Sequence, residues 1–366
     1  MTYDPPPARQ VRRDRATESF GFEESALVAM PPSLGRKRVE QLVAEHYGIQ
    51  TVELAPLGSE RDQNLRLTNG RGTKFVVRIT NSSEEKDVTA LQTSAHLHLE
   101  QRAPDVPVQR IVRTASGDGS VDLSEGDGGS VLRVMSYIEG KPLSNWTTPS
   151  RMQCASLGRV LAEFDLAMRH FSHPAGQHEL MWNLANAAKV HPLLCHLEDP
   201  VTRVNAGRLL VGFERDVLPV LEVLRAQIIH NDPNPHNILF DPLDPARVTG
   251  ILDLGDILQA PLVVDLAIAA SALPVIGDDP LALASEMFLA FHAALPLEER
   301  EVASLFDLMC ARQVMSLAVA AWRVQMFPEN STYILKNSER AMQNVNAFAS
   351  IDRGQARDHF LNLCNR

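Results

Sequence analysis

The chain up to about residue 137 has the pattern of a small antiparallel sheet that carries one main helix. Apolar residues at helical spacing predict a short helix over Arg36–Tyr47 and a longer one over about 83–102, with Ser82 or Ser83 as its N-cap. Alternating or β-branched runs between turn residues predict strands. These strands are Thr51–Leu57, a segment around Leu65–Leu67, Lys74–Ile79, Val108–Thr114 and Ser130–Tyr137.

Beyond Gly140 the pattern becomes mostly helical. Apolar stripes with a 3.6-residue period predict helices over about 152–170, 202–224, 281–295, 302–324 and 338–348, and short apolar strands interrupt them at Ile228-Ile229 and Val248–Leu252. The pattern changes near Ile138–Pro142. We therefore expect an α+β fold with an N-lobe over 31–137 and a C-lobe over 138–366, preceded by a flexible tail over 1–30.

Composition narrows the classes of function. The 366 residues include 35 lysines and arginines against 45 acidic residues, and this net charge of −10 argues against sequence-independent binding of nucleic acid. The four cysteines form no C-x-x-C pair, as is typical of a reducing cytoplasm. The best apolar run, Pro261–Ile276, is interrupted by Asp265 and is too short to span a bilayer. We expect a cytoplasmic protein without membrane or nucleic-acid partners.

Two polar loops that follow apolar strands carry the candidate chemistry. The segment Ile228–Phe240 presents Asp232 at the end of a strand, and Asn237 comes five residues later, just before the next strand. Asp253 follows the apolar pair Ile251-Leu252 in the same way. A carboxylate can accept a hydroxyl proton, while an amide oxygen and a second carboxylate can hold Mg²⁺ against phosphate oxygens. The pattern therefore indicates phosphoryl transfer.

The same loops resemble the protein-kinase catalytic motifs, H-x-D-x-x-x-x-N followed by D-x-G. His230–Asn237 and Asp253–Asp256 are similar to these motifs in the aminoglycoside phosphotransferase and choline kinase superfamily. The resemblance implies a two-lobed, protein-kinase-like fold, with a small antiparallel-sheet N-lobe and a larger, mostly helical C-lobe. It also implies a kinase that uses Mg²⁺ and takes its phosphate from ATP or GTP.

The resemblance implies roles for the acidic and amide side chains of the two loops. Asp232 is implied as the catalytic base that orients and deprotonates a hydroxyl group. Asn237 and Asp253 are implied as the ligands of Mg²⁺. Asp256 is either a further metal ligand or a cap of its own loop.

Two other residues are expected to support the catalytic loop without taking part in the chemistry. His230 begins the motif and is expected to shape the loop through hydrogen bonds. Asp265 stands alone in the apolar segment Leu262–Ala272, where a buried carboxylate needs hydrogen-bond donors. We expect Asp265 to accept hydrogen bonds from buried amides of the loop.

The cation that holds the nucleotide phosphates is expected on the strand Lys74–Ile79. Lys74 and Arg78 lie four residues apart and therefore on one face of this strand. The resemblance places the phosphate clamp at Arg78, in a position where lysine is usual. Gln92 is implied as its partner on the following helix, with Glu84 or Glu85 as alternatives.

Two further segments are expected to contact the nucleotide. Gly58 and Ser59 belong to the loop between the first two strands, which would cover the phosphates with backbone amides. Ser136, Tyr137 and Ile138 form the hinge between the lobes, and their backbone groups would meet the purine edge. Both assignments rest on the resemblance.

Within the superfamily, the chain looks closest to hydroxylysine kinases and to the kinase modules fused to class III aminotransferases. The segment Gly58–Asn64, with the letters GSERDQN, carries this likeness together with Leu91-Gln92 and Asp265–Ala269. The likeness implies phosphorylation of a small amino alcohol or amino acid, with 5-hydroxylysine as the leading acceptor. It also implies a functional link to a pyridoxal-phosphate-dependent phospholyase or aminotransferase.

Other functions stay open at this point. The shared motifs do not separate a hydroxylysine kinase from an aminoglycoside, choline or homoserine kinase. Arg78, Gln92 and Asn231 depart from the residues that are usual in the superfamily. A nucleotide-binding pseudokinase is therefore the alternative from a different class.

Overall fold

The computed structural model describes residues 31–59, 61–277 and 279–365, and the expected flexible tail over 1–30 lies outside these ranges. An antiparallel sheet forms the N-terminal part. Its strands are β1 (Thr51–Leu57), β2 (Gln63–Asn69), β3 (Lys74–Ile79), β4 (Val121–Asp122) and β5 (Val131–Ser136). The strand order is β1-β2-β3-β5-β4. Arg78 on β3 pairs in register with Arg133 on β5, so two arginines share one face at the middle of the sheet.

Two helices flank this sheet and bury their apolar residues in different cores. Helix α1 (Arg36–Tyr47) ends at Gly48, whose φ of 65° is left-handed, and it packs Val39 and Val43 against the sheet. Helix α2 (Lys86–Arg102) instead contributes Leu91 and Leu99 to the core of the C-terminal part. The helix that follows β3 therefore joins the two parts of the molecule.

The C-terminal part is mostly helical. Its helices are α3 (Arg151–Met168), α4 (Pro200–Asp216), α5 (Val263–Ser271), α6 (Ala282–Ala294), α7 (Glu299–Met326), α8 (Ser331–Ile334), α9 (Ser338–Ser350) and α10 (Arg353–Leu363). Two small antiparallel sheets carry the polar loops: one of β6 (Lys141–Pro142), β8 (Ile238–Phe240) and β9 (Val248–Ile251), the other of β7 (Ala226–Ile229) and β10 (Leu258–Pro261). The expected α+β class, with a small antiparallel sheet and a larger helical part, is confirmed.

Helix packing determines the shape of the large core. Helices α3 and α6 cross closely at Gly158, where a Cβ atom would collide with the carbonyl group of Met287. Helix α7 runs through the centre, and its buried residues lie on all sides of the helix. By length and composition alone, α7 is long and apolar enough to cross a membrane, and no such segment was expected from the sequence. However, 83% of its most apolar window is buried inside the protein.

Three of the expected elements differ in the structure. Helix α2 begins at Lys86 after the N-cap Glu85, because Ser83 is held in a turn by hydrogen bonds to Asn81. The expected strand over 108–114 makes only isolated bridges, Val108 to Ile251 and Ile111 to Met135. The expected helix over 202–224 ends at residue 216 and continues as the 3₁₀ turn Leu218–Val223, where a proline lacks the N–H that an α-helix requires.

Candidate active site

A cavity of about 1640 Å³ lies between the N-terminal sheet and the helical part. Both polar loops open into it, and so do Gly58 and Ser59 after β1 and Tyr137 and Ile138 after β5. Its lining includes Gly58, Ser59, Arg61, Arg78, Glu84, Tyr137, Ile138, Asp232, Asn237, Asp253, Asp256 and Arg312. The fold thus brings most of the predicted site residues to one cavity.

The catalytic loop is shaped by His230 and Asp265, as expected. The carboxylate of Asp265 accepts hydrogen bonds from the backbone N–H groups of His230 and Asn231, both at 2.7 Å. His230 donates from Nε2 to the carbonyl of Leu252 and accepts from the N–H of Asp232 at Nδ1. Asn231 takes a left-handed backbone with a φ of 63°, which costs energy in a residue other than glycine. These hydrogen bonds hold the strained turn that presents Asp232 to the cavity.

A second buried carboxyl group, on Asp165 of α3, lies against Asp265. Asp165 and Asp265 are both fully buried, and no donor in the described part of the chain reaches the Asp165 carboxyl oxygens. Two adjacent carboxylates cannot both stay charged without solvent. Burial and the neighbouring Asp265 raise the pKa of Asp165 well above its usual value, so Asp165 keeps its proton and its neutral carboxyl group donates a hydrogen bond to the Asp265 carboxylate. No local pattern in the sequence indicated Asp165.

The side chain of Asp232 is held from both sides. Its Oδ2 accepts hydrogen bonds from Nδ2 of Asn234 at 2.6 Å and Nδ2 of Asn237 at 3.0 Å. Its Oδ1 accepts a hydrogen bond from Arg312 at 2.7 Å. Burial, together with the negative charges of Asp256 and Asp253, raises the pKa of Asp232 to about 6, although Arg312 opposes the shift. A carboxylate with this pKa is a suitable proton acceptor near neutral pH.

Asp253 is linked to the N-terminal sheet through Arg78. Arg78 is buried and donates from Nε to Asp62 at 2.5 Å and from Nη1 to Asp253 at 2.8 Å. Although burial opposes the shift, Arg78 holds the pKa of Asp253 well below its usual range. Asp253 therefore stays ionised. Arg78 lies at the cavity as predicted, and Lys74 lies on the surface in an ion pair with Glu139.

Asp256 is linked to the N-terminal part by a second arginine. Arg61, from the loop between β1 and β2, forms an ion pair with the Asp256 carboxylate. Each carboxylate of the D-x-G-D loop therefore faces one arginine: Asp253 faces Arg78, and Asp256 faces Arg61. Two ion pairs therefore connect the loop after β9 to the N-terminal sheet.

The donor atoms at this loop suit a hard divalent cation. Asp253 exposes 45% of its side chain, and Asn237 uses its amide nitrogen to bond Asp232, which turns its amide oxygen away from that carboxylate. The described residues contain no group of three or more His, Cys, Asp or Glu that could hold a metal by themselves. Mg²⁺ commonly takes one or two protein ligands and completes its shell with phosphates and water. Asn237 and Asp253 therefore fit Mg²⁺ that arrives with a nucleotide.

Two of the predicted nucleotide contacts do not line the cavity. Gln92 is buried behind it, where it donates to Glu84 and to the carbonyl of Gly255 and accepts from Arg133. The backbone N–H and carbonyl of Ser136 are already bonded to Arg110 and Gln109. Gln92 thus bonds to Arg133 and not to Arg78, its expected partner, whereas Gly58, Ser59, Tyr137 and Ile138 do line the cavity.

Three arginines of the site were missed in the sequence. Arg61 binds Asp256, Arg133 binds Gln92, and Arg312 binds Asp232. Arg133 and Arg312 each stand alone within an apolar stretch, in β5 and α7, and such isolated charges could have indicated them. Burial and the nearby positive charge of Arg78 lower the pKa of Arg133 to about 10, which leaves it charged near neutral pH.

Comparison with known proteins agrees with this geometry. A family model described as the phosphotransferase enzyme family matches residues 52–300. The chain belongs to this family. It is accordingly a phosphotransferase enzyme, as the loop motifs predicted.

Individual relatives extend the similarity over nearly the whole chain. A hydroxylysine kinase of Mus musculus is 27% identical over 359 residues, which cover 92% of this chain and 94% of that protein. An amicoumacin kinase has a TM-score of 0.64 at 14% identity, covering 88% of this chain and 97% of that chain. An aminoglycoside phosphotransferase from Alicyclobacillus acidocaldarius has a TM-score of 0.62 at 18% identity, covering 91% and 98%. The expected two-lobed kinase-like fold is confirmed.

Proposed function

We propose that this enzyme transfers the terminal phosphate of ATP or GTP to the hydroxyl group of a small hydroxylated amine or amino acid, with 5-hydroxylysine as the leading acceptor. The observation that carries the proposal is the end-to-end similarity to hydroxylysine kinases. The half-buried, hydrogen-bonded Asp232, whose pKa is raised to about 6, supports it at the level of the site.

Each of the predicted site residues that line the cavity would have its own task in this reaction. Asp232 would receive the acceptor hydroxyl and take its proton as the oxygen attacks the terminal phosphate. Asn237 and Asp253 would hold Mg²⁺, which neutralises the phosphate charge when it is bound. Arg78 would donate to phosphate oxygens while its bond to Asp62 keeps its position. The amides around Gly58 and Ser59 would cover the phosphates.

Further parts of the proposal concern the setting of the enzyme. We expect a cytoplasmic protein whose phosphorylated product is consumed by a pyridoxal-phosphate-dependent phospholyase or aminotransferase. Such an enzyme acts on the amino group or on the phosphate ester that this reaction creates. This link rests on the likeness to aminotransferase-fused kinase modules.

The proposal can be tested with the purified chain. We would incubate it with Mg²⁺ and either ATP or GTP and with 5-hydroxylysine, homoserine, choline, ethanolamine or an aminoglycoside, and detect the phosphorylated product by mass spectrometry. We expect the highest kcat/KM for 5-hydroxylysine. In Asp232→Asn this kcat/KM should fall by about a hundredfold or more. Nucleotide binding without transfer to any acceptor would contradict the proposal and favour a pseudokinase.

A further inference from the structure

Arg312 occupies an unusual position next to the proposed base. It lies on α7, its side chain is only 10% exposed, and it lines the cavity. One terminal nitrogen, Nη2, donates to Asp232, and the guanidinium carbon lies 5.1 Å from the centre of the Trp182 ring. The other terminal nitrogen, Nη1, is buried and has no hydrogen-bond partner in the part of the chain that the structure describes.

A buried guanidinium nitrogen without a partner is unfavourable, because arginine stays charged and has lost its hydration. Asp232 and Trp182 restrict the side chain on two sides, so Nη1 cannot easily turn to another acceptor within the protein. Because Arg312 lines the cavity, a small shift of its guanidinium group would let Nη1 bond to an oxygen that enters there. Charge-assisted hydrogen bonds to an anion are about twice as strong as those to a neutral oxygen, and the planar guanidinium matches the planar carboxylate.

We propose that Arg312 binds a carboxylate of the acceptor, so that the enzyme selects a hydroxylated amino acid over the corresponding amino alcohol. This inference rests on the proposed function, because it concerns the acceptor of the same reaction. It makes Arg312 a specificity-determining residue that also positions Asp232. An acceptor with only positive charges, such as a polyamine or an aminoglycoside, would bring an ammonium group towards Arg312 and be repelled.

The transferred phosphate is the other anion that could meet Nη1, and the two cases differ in their kinetics. A contact with phosphate would help every acceptor equally. A contact with the acceptor carboxylate would help only acceptors that carry one. The ratio between two acceptors that differ only in the carboxylate therefore separates the cases, even though loss of Arg312 also disturbs Asp232.

The test uses matched pairs of acceptors. We would measure kcat and KM for 5-hydroxylysine against its decarboxylated form, 1,5-diaminopentan-2-ol, and for homoserine against 3-aminopropan-1-ol, with saturating Mg²⁺ and ATP. We expect the native enzyme to favour the carboxylate-bearing member by about tenfold or more in kcat/KM, mainly through KM. No preference in the native enzyme would overturn the inference without any variant being needed.

Variants then assign the preference to Arg312. Arg312→Gln should lower kcat/KM for both acceptors of a pair and remove the preference for the one with a carboxylate. Arg312→Lys keeps the charge but not the planar fork and should retain part of this preference. The matched control is Arg340→Gln, because Arg340 lines the same cavity but, among the residues that the structure describes, donates only to the carbonyl of Thr147, at 3.3 Å, and not to Asp232. The control should keep the native preference. An Arg312→Gln enzyme that binds nucleotide normally and keeps the preference would overturn the inference.

A binding measurement separates this inference from the proposed function. Lysine and cadaverine differ only in the carboxylate and have no hydroxyl to phosphorylate. Calorimetry with Mg²⁺ and AMP-PNP present should show tighter binding of lysine, and Arg312→Gln should remove the difference. Absence of turnover with every acceptor, combined with selective binding of lysine, would sustain the carboxylate site and overturn the proposed function. Equal binding of both compounds by the native enzyme would overturn the carboxylate site.

Discussion

At the scale of single residues, the site is a set of carboxylates that each have an arginine partner. Arg312 faces Asp232, Arg78 faces Asp253, and Arg61 faces Asp256. The pairs differ in what they do to the acid. Asp253 is kept ionised by Arg78, whereas burial raises the pKa of Asp232 to about 6 in spite of Arg312. One fold thus makes one carboxylate suitable for a cation and another suitable for a proton.

The raised pKa of Asp232 predicts the acid limb of the pH profile. Asp232 must be ionised to accept a proton, and in the free enzyme it becomes protonated as the pH falls through about 6. We therefore expect kcat/KM to decrease about tenfold per pH unit below that value and to level off above it. The measurement is kcat/KM from pH 5 to 8 in buffers of constant ionic strength. A flat profile down to pH 5 would exclude Asp232 as the titrating base.

Arg78 is predicted to matter far more than Lys74 for nucleotide binding. Arg78→Ala would remove the partner of the buried Asp62, which costs about 3–5 kcal/mol of stability, and it would weaken nucleotide affinity and turnover together. Arg78→Lys should be intermediate, because one ammonium group cannot reach Asp62 and Asp253 as the planar fork does. Lys74→Ala should be nearly silent, since its pair with Glu139 is exposed.

Thermal unfolding and titration with ATP and GTP would check all three variants. A strong effect of Lys74→Ala with none of Arg78→Ala would contradict the assignment of the phosphate clamp.

At the scale of elements, the catalytic loop depends on two helices, α5 and α3, whose supporting residues Asp265 and Asp165 do not line the cavity. Asp265 on α5 binds the backbone of His230 and Asn231, and Asp165 on α3 shares its proton with Asp265. The strained backbone of Asn231 persists only because these contacts over-determine it. The position of Asp232 is therefore decided by the packing of α3 against α5.

This arrangement predicts contrasting effects of two substitutions at Asp165. Asp165→Asn replaces the neutral acid with an amide that can still donate to Asp265, so we expect turnover close to that of the native enzyme. Asp165→Leu removes the donor but keeps the branched shape of the side chain, and we expect kcat to fall about tenfold or more while the KM for nucleotide changes little.

Steady-state kinetics and a melting curve for each variant provide the measurement. Equal loss of kcat in both variants would show that the shared proton is not what supports the loop.

At the scale of the whole molecule, the cavity needs both parts of the chain. Helix α2 buries Leu91 and Leu99 in the core of the helical part, and Gln92 of the same helix bonds to the carbonyl of Gly255. Arg78 and Arg61 add two ion pairs between the parts. The D-x-G-D loop is therefore held against the N-terminal sheet by contacts of the protein itself.

The metal dependence of nucleotide binding should distinguish the two acids of that loop. Asp253 is half exposed at the cavity and is predicted to hold Mg²⁺, whereas Asp256 is mostly buried and paired with Arg61. We expect Asp253→Ala to abolish the increase in melting temperature that Mg²⁺ and ATP produce together. Asp256→Ala should reduce this increase only in part. A larger loss in Asp256→Ala would move the metal assignment to Asp256.

The sequence by itself determined the features that depend on local pattern. Period and turn residues predicted the bounds of Arg36–Tyr47, Thr51–Leu57 and Lys74–Ile79 correctly, because these elements follow their own propensities. The spacing of Asp232, Asn237 and Asp253 predicted a shared site, because each follows or precedes a short buried strand. Asp265 was correctly expected to bind buried loop amides, since a lone acid in an apolar helix needs donors.

Only the tertiary structure decided which side chains meet across long stretches of chain. Arg312 reaches Asp232 from eighty residues away, and Asp165 reaches Asp265 from a different helix, so no local pattern connects them. Gln92 was expected to partner Arg78, but the packing of α2 turns it towards Gly255 and Arg133 behind the cavity. Contacts of this kind depend on how helices and sheet pack, which sequence periodicity does not specify.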